Sequence, residues 1–103
     1  MTDTPTVLNI SCYKFVALPD AQALRDVLHQ RATAADLKGT ILLAGEGINF
    51  FLAGAADAVR GFVSALRTDA RFADLEPKES WSATVPFRKM LVKVKREIIR
   101  MDH

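Results

Sequence analysis

An acid and an amide lie close together at a glycine-rich point near the middle of the sequence. Glu46 stands between Gly45 and Gly47, and Asn49 follows shortly after, in the run KGTILLAGEGIN. Glycine supplies the positive φ that tight hairpin turns need, so we expect a turn at these glycines with Glu46 at its tip. Two interpretations stay open: a functional acid–amide pair with backbone N–H groups beside it, or an exposed turn residue followed by an outward-facing strand residue.

A basic stretch near the C-terminus is the second distinctive region. Residues 86–100 hold six basic residues and one acidic residue, whereas the rest of the chain holds eight basic and eleven acidic residues. Such a stripe could attract a polyanion to one face of the molecule. A strand that alternates core residues with solvated lysines explains the pattern equally well. The candidate contacts to a polyanion are Arg88, Lys89, Lys93, Lys95 and Arg96.

Residue types that support acid–base, nucleophilic or metal chemistry are scarce. His103 ends the sequence, and His29 falls on the polar side of a predicted helix, where we interpret it as a solvated surface residue. The histidines and acids lack metal-ligand spacing, and the sequence has no phosphate-binding glycine loop and no nucleophile elbow. Cys12 lies mid-strand among apolar residues, where a thiol is usually protonated and inert. We therefore expect no catalytic residue, no metal and no cofactor.

Length and composition favour one globular domain. The chain has 103 residues, of which 50% are hydrophobic and 25% charged, and this usage argues against intrinsic disorder. No apolar run approaches the roughly 20 residues that span a bilayer, and the N-terminus does not resemble a secretory signal. A single cysteine excludes an internal disulfide. We expect a cytoplasmic protein without a membrane contact.

Hydrophobic periodicity predicts strands and helices in alternation. The predicted strands are 7–16, 40–44, 48–53, 75–82 (edge or irregular) and 89–99, and the helices are one beginning at Asp20 and one over about 55–67. Asp20 is expected to cap or charge the first helix. In that helix Ala21, Leu24, Val27, Leu28 and Arg31 fall at helical spacing, and the predicted apolar stripe is narrow.

Burial is predicted for specific side chains of these elements. Leu24 and Leu28 should be buried beneath the first helix, Phe62 and Leu66 beneath the second, and Phe72 should tuck under the second. In the last strand the apolar side chains should point one way and the charged ones the other, with Arg96 interrupting the apolar face. The apolar set is Met90, Val92, Val94 and Ile98, and the charged set is Lys93, Lys95 and Glu97.

The element order predicts an α+β fold of the ferredoxin-like or acylphosphatase-like type, a split βαβ sandwich. We expect an antiparallel sheet with two helices on one face and an extra strand, which leaves the opposite face open to solvent or to a partner. Strand parity places Asn9, Ser11 and Tyr13 on one face of their strand, and Asn49 and Phe51 on one face of theirs. Whether either face coincides with Lys93 and Lys95 is left open.

The sequence also resembles a known family. The run AGEGIN preceded by KGTILL, the opening ISCYKFVAL and the late PFRKMLVKVKREII are similar to the N-terminal domains of rhodanese-like tRNA uridine hydroxylases. The shared signature includes Glu46, Gly47, Ile48 and Asn49. The resemblance implies a domain that precedes a rhodanese-like domain, in a protein that uses molecular oxygen to form 5-hydroxyuridine at the wobble position of tRNA.

The resemblance also implies a limit. The essential cysteine of that family belongs to the rhodanese-like domain downstream, and Cys12 does not correspond to it. We therefore expect an isolated N-terminal domain that is inactive alone and binds or scaffolds the anticodon stem-loop, with Tyr13 joining the basic residues as an RNA contact. A protein-interaction or small-molecule-sensing module is the alternative. An acylphosphatase-like hydrolase is disfavoured because Ala17-Leu18-Pro19-Asp20 replaces the glycine-rich, arginine-bearing phosphate loop.

Overall fold

The computed structural model describes residues 5–96, which form five strands, two α-helices and one short 3-10 helix. The predictions for Glu97, Ile98 and His103 concern residues outside this range. The other predicted elements are present with shifted ends, and β4 is the predicted edge strand. The elements are β1 (Val7–Phe15), α1 (Ala21–Ala34), β2 (Lys38–Ala44), β3 (Gly47–Ala55), α2 (Ala56–Leu66), the 3-10 helix Ala70–Phe72, β4 (Lys78–Ser82) and β5 (Met90–Val94).

The strands form a single mixed sheet in the order β4-β1-β3-β2-β5. The pairs β4–β1, β1–β3 and β3–β2 are antiparallel, but β5 runs parallel to β2, with Val92 level with Ile41. The prediction of a purely antiparallel sheet is therefore wrong. The physical reason is that β4 and β5 lie at opposite edges of the sheet. The connection crosses the sheet and enters β5 at the end where β4 finishes, so β5 runs opposite to β4 and in the same direction as β2.

Both helices pack on one face of the sheet, as predicted. One apolar cluster contains buried residues from both helices and alternate residues from the strands, including Leu28, Phe62 and Phe50. Leu66 and Phe72 are also buried, which confirms their predicted positions. Among residues 5–96, neither helix has the length and apolarity needed to cross a bilayer.

The orientation of α1 differs from the predicted stripe. Its buried residues are Ala21, Leu28 and Ala32, whereas Leu24 is half-buried and Val27 is 41% exposed. The helix is rotated because it lies over the β5 edge, where the Arg25 Nε–H donates to the Val92 carbonyl oxygen at 3.1 Å. The expected cap is also absent, since the Asp20 side chain makes no hydrogen bond to the helix N-terminus.

The β2–β3 hairpin turns at Gly45 and Glu46, as predicted, but its glycines do not have positive φ. Within residues 5–96 the positive-φ positions are Asp36 and Gly39, with φ of 57° and 136°. Gly39 needs this conformation and has no space for a side chain, because a Cβ there would meet the Phe51 carbonyl oxygen at 2.0 Å. The conformational need for glycine therefore lies at the start of β2 rather than in the turn.

Residues 83–89, which we call the strap, connect β4 to β5. Four strand spacings of about 4.8 Å separate these edges, and seven extended residues reach about 23 Å, so the strap is nearly extended. Phe87 lies beside Asn9, Ser11 and Phe51, which point away from the helices. The strap therefore crosses the helix-free face and covers part of it.

Candidate nucleic-acid interface

The helix-free face of the sheet, which we call the open face, brings the predicted polar, aromatic and basic residues together. The register places Tyr13 opposite Asn49, Asn49 opposite Leu42, and Leu42 beside Lys93, so these four residues form one row across four strands. The next row contains Ser11, Phe51, Thr40 and Leu91. One face of the sheet therefore carries Tyr13 of β1, Asn49 of β3 and Lys93 of β5, which alternation within single strands could not decide.

The basic residues of the C-terminal stretch lie along the β5 edge. Lys93 points to the open face, because its neighbour Val92 is buried on the helix side. The Lys95 backbone N–H donates to the Leu43 carbonyl oxygen at 2.6 Å, which keeps Lys95 beside β2 although β5 ends at Val94. Side chains two apart on a strand are about 6.6 Å apart, so this pair can contact successive phosphates.

The other basic candidates are also exposed. Arg88 and Lys89 end the strap, and the Lys89 carbonyl oxygen accepts from the Gly39 N–H at 2.8 Å, which fixes the entry to β5. Arg96 follows β5 and is exposed, so within the described part it does not interrupt an apolar strand face.

The basic residues of this edge differ from those elsewhere in their pairing. Among residues 5–96, none of Arg88, Lys89, Lys93, Lys95 and Arg96 is in an ion pair. The ion pairs of the described chain instead use other basic residues, namely Lys14, Arg25, Lys38, Arg60 and Arg71. The β5 edge therefore presents cations that no acid of the described chain neutralises.

Tyr13 is part of a small apolar cluster on the open face. Its ring packs against Leu42 and Ala44, two strands away, and meets Phe15 edge-on with ring centroids 5.0 Å apart. Phe15 is 60% exposed. Three strand spacings, about 14 Å, separate Tyr13 from Lys93, so an aromatic side and a basic side share this face.

The signature residues Glu46 to Asn49 have mainly structural positions. Gly47 allows β1 to come close, Ile48 is in the core, and Asn49 is only 4% exposed although it points to the open face. The expectation of an outward Asn49 is correct in direction, but Tyr13 reaches across it to Leu42, so it is buried. Glu46 is exposed at the turn, as expected.

A groove of about 440 Å³, which we call the open-face groove, lies between Tyr13 and the start of β4. Strand alternation predicts that Ser11 shares a face of β1 with Tyr13 and that Asn49 and Phe51 share a face of β3. Lys78 and the segment 74–76 were missed, because only the register of β4 and the fold of the preceding loop bring them here. The lining residues are Ser11, Cys12, Tyr13, Lys14, Asn49, Phe51, Asp74, Leu75, Glu76 and Lys78.

The charges around this groove balance. The Lys14 ammonium donates to Asp74 and to the Arg71 carbonyl oxygen, and the hydrogen bond from Lys14 lowers the pKa of Asp74. Lys78 and Glu76 add one charge of each sign. The groove is therefore a polar and aromatic site without a net charge.

The loop after β1 is committed to internal contacts. The Val16 and Leu18 N–H groups donate to the carbonyl oxygens of Glu46 and Gly45, each at 2.9 Å. Asp20 pairs with Arg71, whose hydrogen bond lowers the pKa of the Asp20 carboxyl. Acylphosphatase chemistry would need free backbone N–H groups in this loop to hold a phosphate. Here the Val16 and Leu18 N–H groups are already hydrogen-bonded, and the carboxylate of Asp20 would repel an anion.

Cys12 is a half-buried free thiol on the helix side of β1. It packs against the core, and burial raises its pKa above the ordinary 9.0. A protonated thiol is a poor nucleophile and a poor metal ligand. Within residues 5–96, no cluster of three or more His, Cys, Asp or Glu residues is arranged to hold a metal ion.

Known structures with the same fold include an acylphosphatase and the BLUF structure of BlrP1. The acylphosphatase of Bacillus subtilis has a TM-score of 0.65 and 15% identity, and the match covers 84% of this chain and 98% of that one. A structure titled BlrP1 BLUF has a TM-score of 0.71 and 18% identity, with coverage of 88% and 65%. At these identities the likeness concerns the fold alone.

Sequence relatives are much closer. A protein of Delftia acidovorans named tRNA uridine(34) hydroxylase is 78% identical over 97 residues, which are 94% of this chain and 37% of that protein. The chain therefore spans well under half the length of this relative. A family model described as the UPF0176 acylphosphatase like domain matches residues 7–98. Because that match covers nearly the whole sequence and agrees with the observed fold, the chain belongs to the family of UPF0176 acylphosphatase-like domains.

Proposed function

We propose that this chain is the RNA-binding domain of an enzyme that hydroxylates the wobble uridine of tRNA in an oxygen-dependent reaction. The proposal is supported by a relative, 78% identical, that is named tRNA uridine(34) hydroxylase. Since the chain corresponds to 37% of that protein, the chemistry is assigned to a further domain of rhodanese-like type. The domain described here binds the anticodon stem-loop in the cytoplasm and is inactive alone.

The observation behind RNA binding is the row of unneutralised cations on the β5 edge of the open face. Phosphate contacts by Lys and Arg provide most of the affinity of proteins for nucleic acids. Lys93 and Lys95 are spaced like successive phosphates, and Arg88 and Lys89 extend the row at the end of the strap. Aromatic rings on the same face suit unstacked loop bases, which is how proteins hold single-stranded RNA.

A second candidate is a docking face for the rest of the protein. The exposed apolar side chains of Phe15 and Leu91, on strands of the open face, favour it. Under this alternative the lysines of β5 are solvated and make no phosphate contact. Sensing of a small molecule on the same fold would also leave them unused.

Binding of an anticodon stem-loop at several salt concentrations distinguishes these functions. The double variant Lys93→Ala/Lys95→Ala should bind more weakly and lower the slope of log K against log salt by about 1.4 to 1.8. Its stability should change by less than about 0.5 kcal/mol, because both side chains point away from the core. The matched control is Arg31→Ala/Arg60→Ala, which removes the same charge from the helices.

An unchanged affinity and an unchanged slope in the lysine variant would leave docking as the better function. An equal loss in the helix control would show a general effect of net charge rather than a contact. The measurement is made on this chain and on a protein with the length of the curated relatives, so that a contribution from the remaining domain is visible.

A further inference from the structure

We infer that the open-face groove receives one unstacked nucleobase of a single-stranded RNA segment, while the β5 cations hold phosphates beside it. The inference rests on the proposed function and assigns a ligand to a site that the basic residues do not form. Four features of the groove support it: the placement of aromatic rings, the neutral lining, the position relative to Lys93, and an unsatisfied buried acceptor in the adjoining cavity.

The aromatic rings of the groove come from neighbouring central strands. Tyr13 is opposite Asn49, and Phe51 is two residues further along β3, so Tyr13 and Phe51 are diagonal neighbours. Diagonal neighbours on one face lie about 7–8 Å apart, within reach of large side chains and of one flat ring between them. Every base has a π-face, and stacking on aromatic residues of a sheet is a common mode of RNA recognition.

The charge of the lining favours a base over a phosphate. Lys14 is already bound to Asp74 and to the Arg71 carbonyl oxygen. Glu76 and Lys78 both line the groove, and their charges are opposite. A phosphate would meet these two carboxylates, whereas an uncharged base would not. Ser11 supplies a polar group to the lining, and a volume of about 440 Å³ lies in the range of small-molecule sites.

The position of the groove suits a chain that continues to the cations. Asn49 and Lys93 are in one row, separated by two strand spacings or about 10 Å. A base over β3 therefore places the phosphates of its own or the next nucleotide close to the β5 edge. The groove and the cations would then hold different parts of one segment.

A smaller cavity of about 200 Å³ continues the groove under the strap and shares Ser11, Phe51 and Lys78 with it. Asn9 lies there; its amide nitrogen donates to the Ser82 hydroxyl at 2.9 Å, while its buried Oδ1 has no hydrogen-bond partner within residues 5–96. Buried acceptors are rarely left without a donor. This cavity therefore has an unused acceptor that a base amino or imino group could satisfy.

The test uses an anticodon stem-loop whose loop nucleotides are replaced one at a time by an abasic nucleotide. One replacement should weaken binding by this chain about 5- to 150-fold, the fold-change expected from the loss of one stacked base. Phe51→Leu, which keeps an apolar side chain but removes the ring, should cause a similar loss. In Phe51→Leu the same abasic replacement should have little further effect, and the salt dependence should stay unchanged.

Two further variants test whether the Phe51 ring itself contacts the base. Phe51→Tyr keeps the ring and should retain binding, which separates a ring contact from a disturbed fold. Trp81→Leu removes an exposed ring that lies opposite the core residue Leu8, on the helix side of β4 and away from the groove, and should bind within about twofold of the parent chain. Equal binding by Phe51→Leu and the parent, or indifference to every abasic replacement, would overturn the inference while salt-dependent RNA binding still upholds the proposed function. Absence of any stem-loop binding by the parent would overturn both.

Discussion

Gly47 lies directly against the backbone of Lys14. A Cβ on Gly47 would stand 2.4 Å from the Lys14 carbonyl oxygen and 3.2 Å from the Cα of Phe15, its cross-strand partner. These contacts are with backbone atoms, which cannot move as a flexible side chain can. The glycine of the Glu46–Asn49 signature is therefore required by the approach of β1 to β3.

We expect Gly47→Ala to lower the free energy of unfolding by about 1–3 kcal/mol, the usual cost of overpacking. Gly61 is the matched control, because nothing lies within 4 Å of a Cβ at this position of α2. Gly61→Ala should raise stability by about 0.5–1 kcal/mol, since alanine is the better helix former. Urea denaturation of both variants measures the difference, and equal effects would contradict the close approach at Gly47.

The rotation of α1 gives a second prediction. Leu28→Ala should destabilise the protein by about 2–5 kcal/mol, because the Leu28 side chain is buried in the core. Val27→Ala, one residue away and exposed, should change stability by less than about 0.5 kcal/mol. Thermal or urea unfolding checks the pair. A large cost at Val27 would restore the apolar stripe read from the sequence.

A third prediction concerns pH. Hydrogen bonds from Arg71 lower the pKa of Asp69 from 3.8 to about 2 and also lower the pKa of Asp20. A lowered carboxyl pKa stabilises the folded state above the unfolded value, and this stabilisation is lost as pH falls through the folded value. Arg71→Gln should therefore reduce stability at pH 7, with a deficit that shrinks between about pH 4 and pH 2.

Urea denaturation at several pH values measures that deficit. The control is Arg31→Gln, which neutralises an exposed residue of α1 and should show no such convergence. A deficit in Arg71→Gln that stays constant down to pH 2 would show that Arg71 acts through packing instead. Packing is a real alternative, because its guanidinium also lies 5.5 Å from the centre of the Phe72 ring.

The fourth prediction concerns Cys12. Because burial raises the pKa of this thiol, its alkylation rate should still be rising at pH 9.0 in the folded chain. In urea the same thiol should titrate near its ordinary value and react faster at every pH below it. Labelling with iodoacetamide followed by mass spectrometry gives both profiles. A rate that levels off below pH 9 in the folded chain would indicate an activated thiol instead.

The sequence was sufficient to predict most of the local structure. Alternation along β1, β2 and β3 and the apolar faces of the helices depend on neighbouring residues, so the strands, the hairpin and the burial of Phe62 and Phe72 could be predicted. The outward direction of Lys93 followed from the same alternation. The residues of the candidate interface were therefore largely predictable one strand at a time.

Relations between distant segments could not be predicted in the same way. The parallel pairing of β5 with β2 depends on the path of the strap, and the burial of Asn49 depends on Tyr13 of another strand. Lys78 joins the groove only through the register of β4 with β1. Asp20 also looked like a helix cap, but its stronger partner is Arg71, which is 51 residues away.

The edge position of β5 has a consequence for motion. This strand pairs with one neighbour and buries one side chain, Val92, so its opening exposes less apolar surface than that of any central strand. Segments of this kind open locally while the rest of a domain stays folded. Amide hydrogens of β5 should then exchange faster than those of β3. An RNA segment held both by Lys93 and by the open-face groove would slow this exchange, because it would link β5 to the central strands.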